Sequence, residues 1–307
     1  MSGNPKFDLQ QTVPAKARIF DRQVLRQRRD RKAAGFADHD FLIAEIGDRL
    51  LDRLDDVTRH FPLALDLGSR NGVLGRLRQG RGGVETWLQA DLSPAMAAQA
   101  RAFGPVFVAD EEWLPVQQGV LDLIVSNLNL HWVNDLPGAL LQLHRALKPD
   151  GLFLGAMFGG NTLYELRDCL MRAELAETGG VSPRVSPFAE VADAAALMQR
   201  AGFALPVVDS ETITVTYADP LKLLADLRGM AETNLVVDRL KHPTRRAVIA
   251  HAAALYAQDY ADADGRLTAT FQILFLTGWA PHESQQKPLK PGSGETSLTD
   301  VFGRGCH

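Results

Sequence analysis

The chain is poor in cysteine: Cys169 and Cys306 are the two in 307 residues, and they lie far apart with no metal-ligand spacing. That argues against a thiolate metal site and against a disulfide-stapled secreted fold, and it suits a reducing compartment. Cys169 reads as a helix-packing thiol. An excess of positive charge is missing as well. The 33 basic and 37 acidic residues leave a formal net charge of -4, which argues against bulk binding of nucleic acid. No apolar run is long enough to span a bilayer, and no apolar segment of signal-peptide type follows the N-terminus, so a cytoplasm-like space is expected.

Three phosphate or oxygen motifs are also missing. The glycine loop "GSRNG", Ser69 within Gly68 to Gly72, is followed by no GK[ST], so it is not a nucleoside triphosphate loop. It keeps Gly68 and Gly72 but not the G-x-G-x-x-G that lets a backbone approach a pyrophosphate. None of the eight histidines begins the H-x-D or H-x-E of a non-haem iron facial triad, and no metal site is expected.

What is present is alternation. Short apolar runs at Leu63–Leu67, Val84–Ala90, Pro105–Ala109, Leu121–Ser126, Leu152–Phe158, Leu205–Asp209 and Thr212–Tyr217 alternate with longer helical patterns. This predicts an α/β fold, a mainly parallel seven-stranded sheet with an antiparallel last strand. Leu136, Leu140, Leu143 and Leu147 share one helical face, and "KPDG" (148–151) is expected to close that helix in a turn. Ser210 and Glu211 are too short a link for a parallel crossover, so the last two runs are expected to form a hairpin. The predicted organisation is an N-terminal helical segment (1–60), the α/β domain (61–217), a C-terminal helical subdomain (218–284) and a mobile tail (285–307). The Arg-rich run "RIFDRQVLRQRRDRKAAG" (18–35) is interrupted by Asp21 and Asp30, which argues against a transit peptide. It reads either as a solvated amphipathic helix or as a surface for an acidic partner or anionic lipid.

In a doubly wound sheet, ligands sit outside the carboxyl ends of the strands. Reading those ends gives Asp66 and Gly68, then Asp91, then Asp110 and Glu111, then Ser126 and Asn127. Each acid alone could merely cap a helix, as "DLSP" (91–94) would. Their recurrence along one edge points to a ligand. With no phosphate motif, the ligand profile is that of S-adenosylmethionine, with Asp91 for the ribose hydroxyls and Asp110 for the adenine amino group.

These residues carry a resemblance. "ALDLGSRNG" (64–72), "QADLSPAM" (89–96), "VADEEWLP" (108–115) and "LDLIVSNL" (121–128) resemble the cofactor motifs of class I S-adenosylmethionine-dependent methyltransferases. The stretch from Asn129 to Leu170, with "SPRVSPFAEVAD" (182–193), "RAGFALPVVDSE" (200–211), "GWAPHESQQKP" (278–288) and "IFDRQVLRQRRDR" (19–31), resembles the mitochondrial complex I assembly factor 5 family and its bacterial relatives. The resemblance covers roughly residues 18–288. It implies the methyltransferase fold turned to protein-arginine hydroxylation, with an arginine of the quinone-proximal, iron–sulfur subunit of complex I as target. It also implies a location in the bacterial cytoplasm or, in a eukaryote, the mitochondrial matrix, with peripheral contact to membrane or nascent complex I. Carried over, Asp66, Gly68, Ser69, Asp91, Leu92, Asp110, Glu111 and Asn127 are the cofactor-binding residues. The departure is Arg70 for the motif's middle glycine, tolerable if its φ is negative and strained if it is left-handed.

On the substrate side, His131 reads as a general base or a packed histidine, and Trp132 as a guanidinium platform or core. Asn161 or Thr162 is expected to cap a helix carrying Tyr164, Glu165 and Asp168. Those two carboxylates could hold a substrate arginine, or could simply favour the helix start. The resulting expectation is an open groove beside His131, Trp132 and Tyr164, floored by Glu165 and Asp168 and rimmed by the basic helix from Arg22 to Lys32. Two other activities stay open: a malonyl-carrier O-methyltransferase using the same pocket, and a non-catalytic assembly chaperone.

Overall fold

The computed structural model describes residues 18–286. Seven strands form one sheet in the order β3-β2-β1-β4-β5-β7-β6. They are β1 Leu63–Leu67, β2 Thr86–Asp91, β3 Val106–Val108, β4 Leu121–Asn127, β5 Leu147–Phe158, β6 Ala204–Tyr217 and β7 Leu267–Trp279. β1 to β5 run parallel, and β7 runs antiparallel between β5 and β6. The order reverses between β1 and β4, which opens the crevice at their carboxyl ends.

Nine helices are described: α1 Arg22–Lys32, α2 Phe41–Asp55, α3 Val73–Leu77, α4 Pro94–Ala100, α5 Leu136–Ala146, α6 Tyr164–Thr178, α7 Val191–Arg200, α8 Pro220–Gly229 and α9 Arg246–Tyr260. No helix among the described residues is long and apolar enough to cross a membrane. The period-2 geometry of the strands divides the core. Leu152, Leu154, Ala156 and Phe158 of β5 pack with α2, α6, α8 and α9, while Phe153 and Met157 pack with α5 and α7. Both faces are therefore covered, which is why the parallel strands read as continuous apolar runs.

Three expectations are corrected. Ser210 and Glu211 make no turn: both pair with β7, opposite Leu274 and Ile273, and β6 is a single strand with an irregularity between Ala204 and Val207. Pro206 is tolerated there because β6 is an edge strand. The antiparallel partner of β6 is β7, inside the segment expected to be helical, so that segment supplies both helices and a strand inserted into the sheet. Its signal was present: Leu267, Ala269, Phe271, Ile273 and Phe275 alternate with Thr268, Thr270 and Gln272, and all five pack into one core face. Finally, "KPDG" is the irregular start of β5, with Asp150 at φ 65° and a register shift opposite Leu121 and Leu123. The expected tail, apart from Gln285 and Gln286, lies outside the described residues, as does Cys306.

α1 is not a solvated helix. Asp21 caps it by accepting from Val24 N at 3.1 Å, and Arg22, Leu25 and Arg29 are buried. Leu25 joins Phe20, Leu92, Trp132, Leu235 and Val236 in a small apolar cluster at the strand ends. Burying this apolar stripe holds α1 down over the crevice and drives two arginines into it.

Candidate functional site

The glycine loop turns sharply after β1. Gly68 at φ 79° presses against Asn129, whose side chain a Cβ would meet, and its N–H and that of Ser69 donate to Ala90 O at 2.8 and 3.0 Å. Arg70 adopts φ 50°, the left-handed case, so the replacement of the motif glycine strains the loop. A compensating bond runs from Arg70 N to Asp91 Oδ2 at 2.9 Å.

Asp91 is fully buried at the end of β2 and serves two purposes. Its Oδ1 accepts from Ser93 N at 2.7 Å, while Ser93 Oγ caps α4, so the helix-start reading is realised. Its Oδ2 faces the crevice and is shared by Arg70 N and Arg29 Nη1, the latter at 3.3 Å. Arg29 also donates to Asn129 Oδ1 at 2.6 Å. Burial pulls the Arg29 guanidinium down to about 10, against the attraction of Asp91. After β3, Arg22 Nη2 is clamped by Asp110, at 2.6 Å, and by Glu111, while its Nη1 donates to Trp132 O at 3.3 Å. Glu111 Oε1 accepts from Asn129 Nδ2 at 2.6 Å.

Asp66 lies beneath this layer with both carboxylate oxygens buried and without a hydrogen-bond partner among the described residues. Burial, reinforced by the neighbouring charge of Asp91, pushes its carboxyl well above the usual range, against the pull of Arg70. Ser69 Oγ and the Nε and Nη1 of Arg70 are likewise buried and unpartnered. An orphaned acid beside orphaned guanidinium nitrogens fits a zwitterionic amino-acid tail, and the acids at 91 and 110 fit a ribose and an adenine amino group. The donor set therefore fits S-adenosylmethionine.

The substrate side differs from expectation. His131 and Trp132 are buried among the rings of Phe158 and Phe188. Tyr164 is exposed and stacks edge-on against Tyr260, not against His131. Glu165 is fully buried and accepts from Thr270 N at 3.3 Å and from Thr270 Oγ1, tying α6 to β7. Asp168 accepts from Arg172 at 2.9 Å and Tyr260 at 3.2 Å. These two carboxylates are engaged in holding α6 in place. Asn161 and Thr162 do not cap α6 either, because both bond Gln272 of β7. Asn127 points away from the crevice and donates to Ile43 O at 2.8 Å, locking α2 to β4. Arg22 and Arg29 fill the crevice, while Arg28, Arg31 and Lys32 line an outer cleft of about 340 Å³ with Arg228 and Thr233.

A buried carboxylate at the crevice, Glu232, was not marked by the sequence. Glu232, in the loop after α8, accepts from Trp132 Nε1 at 2.7 Å and lies 3.1 Å from His131 Nε2, while Arg70 Nη2 donates to its other oxygen at 2.6 Å. Burial opposes its charge, but Arg70 and His131 together hold it below the usual glutamate value. Burial also lowers the pKa of His131, against the pull of Glu232. With Glu232 ionised, His131 donates from Nε2 and keeps its lone pair on Nδ1. Nothing local in the sequence marks Glu232, because its partners are 100 to 162 residues away.

A family model described as "Methyltransferase domain" matches residues 65–155, the part that holds the crevice. The chain is 42% identical over 290 residues to the mitochondrial arginine-hydroxylase NDUFAF5 of Danio rerio, covering 92% of this chain and 89% of that protein. It is 33% identical over 296 residues to a malonyl-[acyl-carrier protein] O-methyltransferase of Halorhodospira halophila, covering 94% and 97%. The fold is similar to phosphoethanolamine N-methyltransferase 2 of Haemonchus contortus, solved in complex with S-adenosyl-L-methionine, with a TM-score of 0.53 at 16% identity over 84% of this chain and 60% of that one.

Proposed function

The chain belongs to the NDUFAF5 arginine-hydroxylase family, and from that premise we propose that it is an S-adenosylmethionine-binding hydroxylase of a protein arginine, acting on the quinone-proximal iron–sulfur subunit of respiratory complex I. The observation that carries this reading is the acid-lined crevice itself. Asp91, Asp110, Glu111 and Glu232 each hold a guanidinium of this chain, so the crevice is built from carboxylates that bind this group.

In this reading Asp91 accepts the ribose hydroxyls, Asp110 takes the adenine amino group, and Asp66 with Arg70 meets the two charges of the amino-acid tail. Ser69 and Leu92 complete the cofactor wall. S-adenosylmethionine, when bound, supplies a sulfonium cation. The chain contributes orientation, exclusion of water by the Phe158 and Phe188 wall, and a proton acceptor at Nδ1 of His131. Domain roles follow: α1 forms a cover, residues 61–217 with β7 form the cofactor domain, and the helices after Tyr217 bring Glu232 to the site.

The likeness to the malonyl-carrier enzyme supports a second reading, O-methyl transfer from the same pocket. Mass spectrometry of the complex I iron–sulfur subunit from cells lacking this protein separates the two. Loss of one oxygen mass from one arginine supports hydroxylation, whereas loss of a methyl mass supports transfer. Failed assembly with unaltered modification supports a chaperone.

A further inference from the structure

Two of the arginine–glutamate pairs in this protein are built differently. Arg184 engages Glu174 through both Nε, at 2.9 Å, and Nη2, at 2.5 Å, so each oxygen of the carboxylate faces the fork of the guanidinium, and Ser182 adds two further donors. That pair is a committed structural contact. Arg70 meets Glu232 through Nη2 alone, at 2.6 Å, sharing the same nitrogen with Leu128 O, while its Nε and Nη1 are buried and unpartnered. A guanidinium that leaves most of its donors unsatisfied in the interior is poorly held.

The backbone around this contact is strained as well. Arg70, Leu128 and Ala231, which supply the arginine, its second acceptor and the residue preceding Glu232, have φ of 50°, 48° and 61°. Such conformations persist where the surrounding fold imposes them, and they gather at working sites. Glu232 by contrast is firmly seated. Its Oε2 is fixed by Trp132 and His131, and its Oε1 is the oxygen offered to a guanidinium. Around its two fixed partners, His131 and Trp132, pack the rings of Phe158 and Phe188, aromatic surface of the kind on which a guanidinium stacks.

We infer that Glu232 is the carboxylate that receives the guanidinium of the substrate arginine, and that Arg70 is its exchangeable partner, released when its orphaned nitrogens meet the carboxylate of the cofactor's amino-acid tail. The inference rests on the arginine-hydroxylase reading and deepens it. It gives Arg70 a role that a glycine at that position could not fill. It also orders the two ligands: the amino-acid tail draws Arg70 away from Oε1, and the substrate guanidinium takes its place with charge conserved at Glu232.

Two cofactor analogues that differ in the tail test this. S-adenosylhomocysteine carries the carboxylate, and 5′-methylthioadenosine has the same adenosine without it. Calorimetry on the full chain with a peptide carrying the target arginine is expected to show about tenfold or tighter binding with S-adenosylhomocysteine than with methylthioadenosine. Arg70→Ala should bind the peptide equally with either analogue. Glu232→Gln should weaken peptide binding by about tenfold or more, with S-adenosylhomocysteine affinity unchanged or raised. Should the Gln variant fail to fold, the Arg70→Ala comparison decides alone. Peptide affinity in wild type that ignores the tail, or a folded Glu232→Gln that keeps wild-type peptide affinity, overturns the inference. A wild-type protein that binds S-adenosylhomocysteine but equally the arginine peptide and its lysine counterpart overturns the arginine-hydroxylase reading itself.

Discussion

Arg29 and Asp91 form an ion pair across the mouth of the crevice, Nη1 to Oδ2 at 3.3 Å, with both side chains buried, and so the carboxylate proposed for a ribose is held by the chain's own α1. Breaking a buried pair from one side is costly, by about 3–5 kcal/mol, because the remaining charge loses its partner. Arg29→Met is therefore expected to lower the unfolding free energy at the lower end of that range, since Asp91 keeps the N–H groups of Arg70 and Ser93. The same change removes a competitor for Asp91, so S-adenosylmethionine should raise the melting temperature of the variant more than that of wild type. An equal or smaller ligand-induced shift would show that Arg29 does not compete.

Asp91→Ala removes the acceptor proposed for the ribose. Cofactor affinity should fall by about 1–3 kcal/mol, the range for charge-assisted hydrogen bonds. Calorimetry is the measurement, and unchanged affinity sinks the ribose assignment.

Asp66 gives a pH prediction. Its carboxyl in the folded chain is raised well above the ordinary aspartate value of 3.8, by burial first and by Asp91 second. The folded state thus binds the proton more tightly than the unfolded state, so its contribution to stability is intact below 3.8 and is lost as pH rises toward the folded value. Asp66→Asn should match wild type in acid and become the more stable protein at neutral pH, while binding S-adenosylmethionine more weakly. Denaturation across pH checks the first part, and a wild type that gains on the variant with rising pH contradicts it.

The carboxylates of α6 are expected to be structural. Glu165→Gln should cost about 1–3 kcal/mol of stability through its buried bonds to Thr270, with cofactor affinity unaffected. Asp168→Ala should leave arginine modification at the wild-type level. Loss of modification by a folded Asp168→Ala protein would restore that residue to the substrate site.

Cys169 is fully buried, and desolvation pushes its thiol up to about 11. In a Cys306→Ser background, iodoacetamide at neutral pH should label no cysteine in the folded protein and one after denaturation. Rapid labelling of the native form would mean that α6 opens.

How much was legible depends on how local each signal is. The parallel strands announced themselves as short apolar runs, and the acids at 66, 91 and 110 followed from counting to each strand's end. β7 carried an equally clear alternation, but a preceding helix and the expectation of a C-terminal helical unit hid it. Glu165 was misplaced for a different reason. A helix start fixes which residues share a turn, but not whether that turn faces solvent or β7.

The sequence by itself determined the methyltransferase-type sheet and the row of acids along its carboxyl edge, because strand period and chain order place a residue at a strand's end without knowledge of anything distant. Only the tertiary structure decided what those acids hold. Arg29 lies 62 residues before Asp91, Arg22 lies 88 before Asp110, and Arg70 lies 162 before Glu232. These pairings arise when the apolar stripe of α1 buries against Leu92 and Trp132 and when the loop after α8 folds back over β4. They are consequences of packing between remote segments, for which the sequence carries no periodicity.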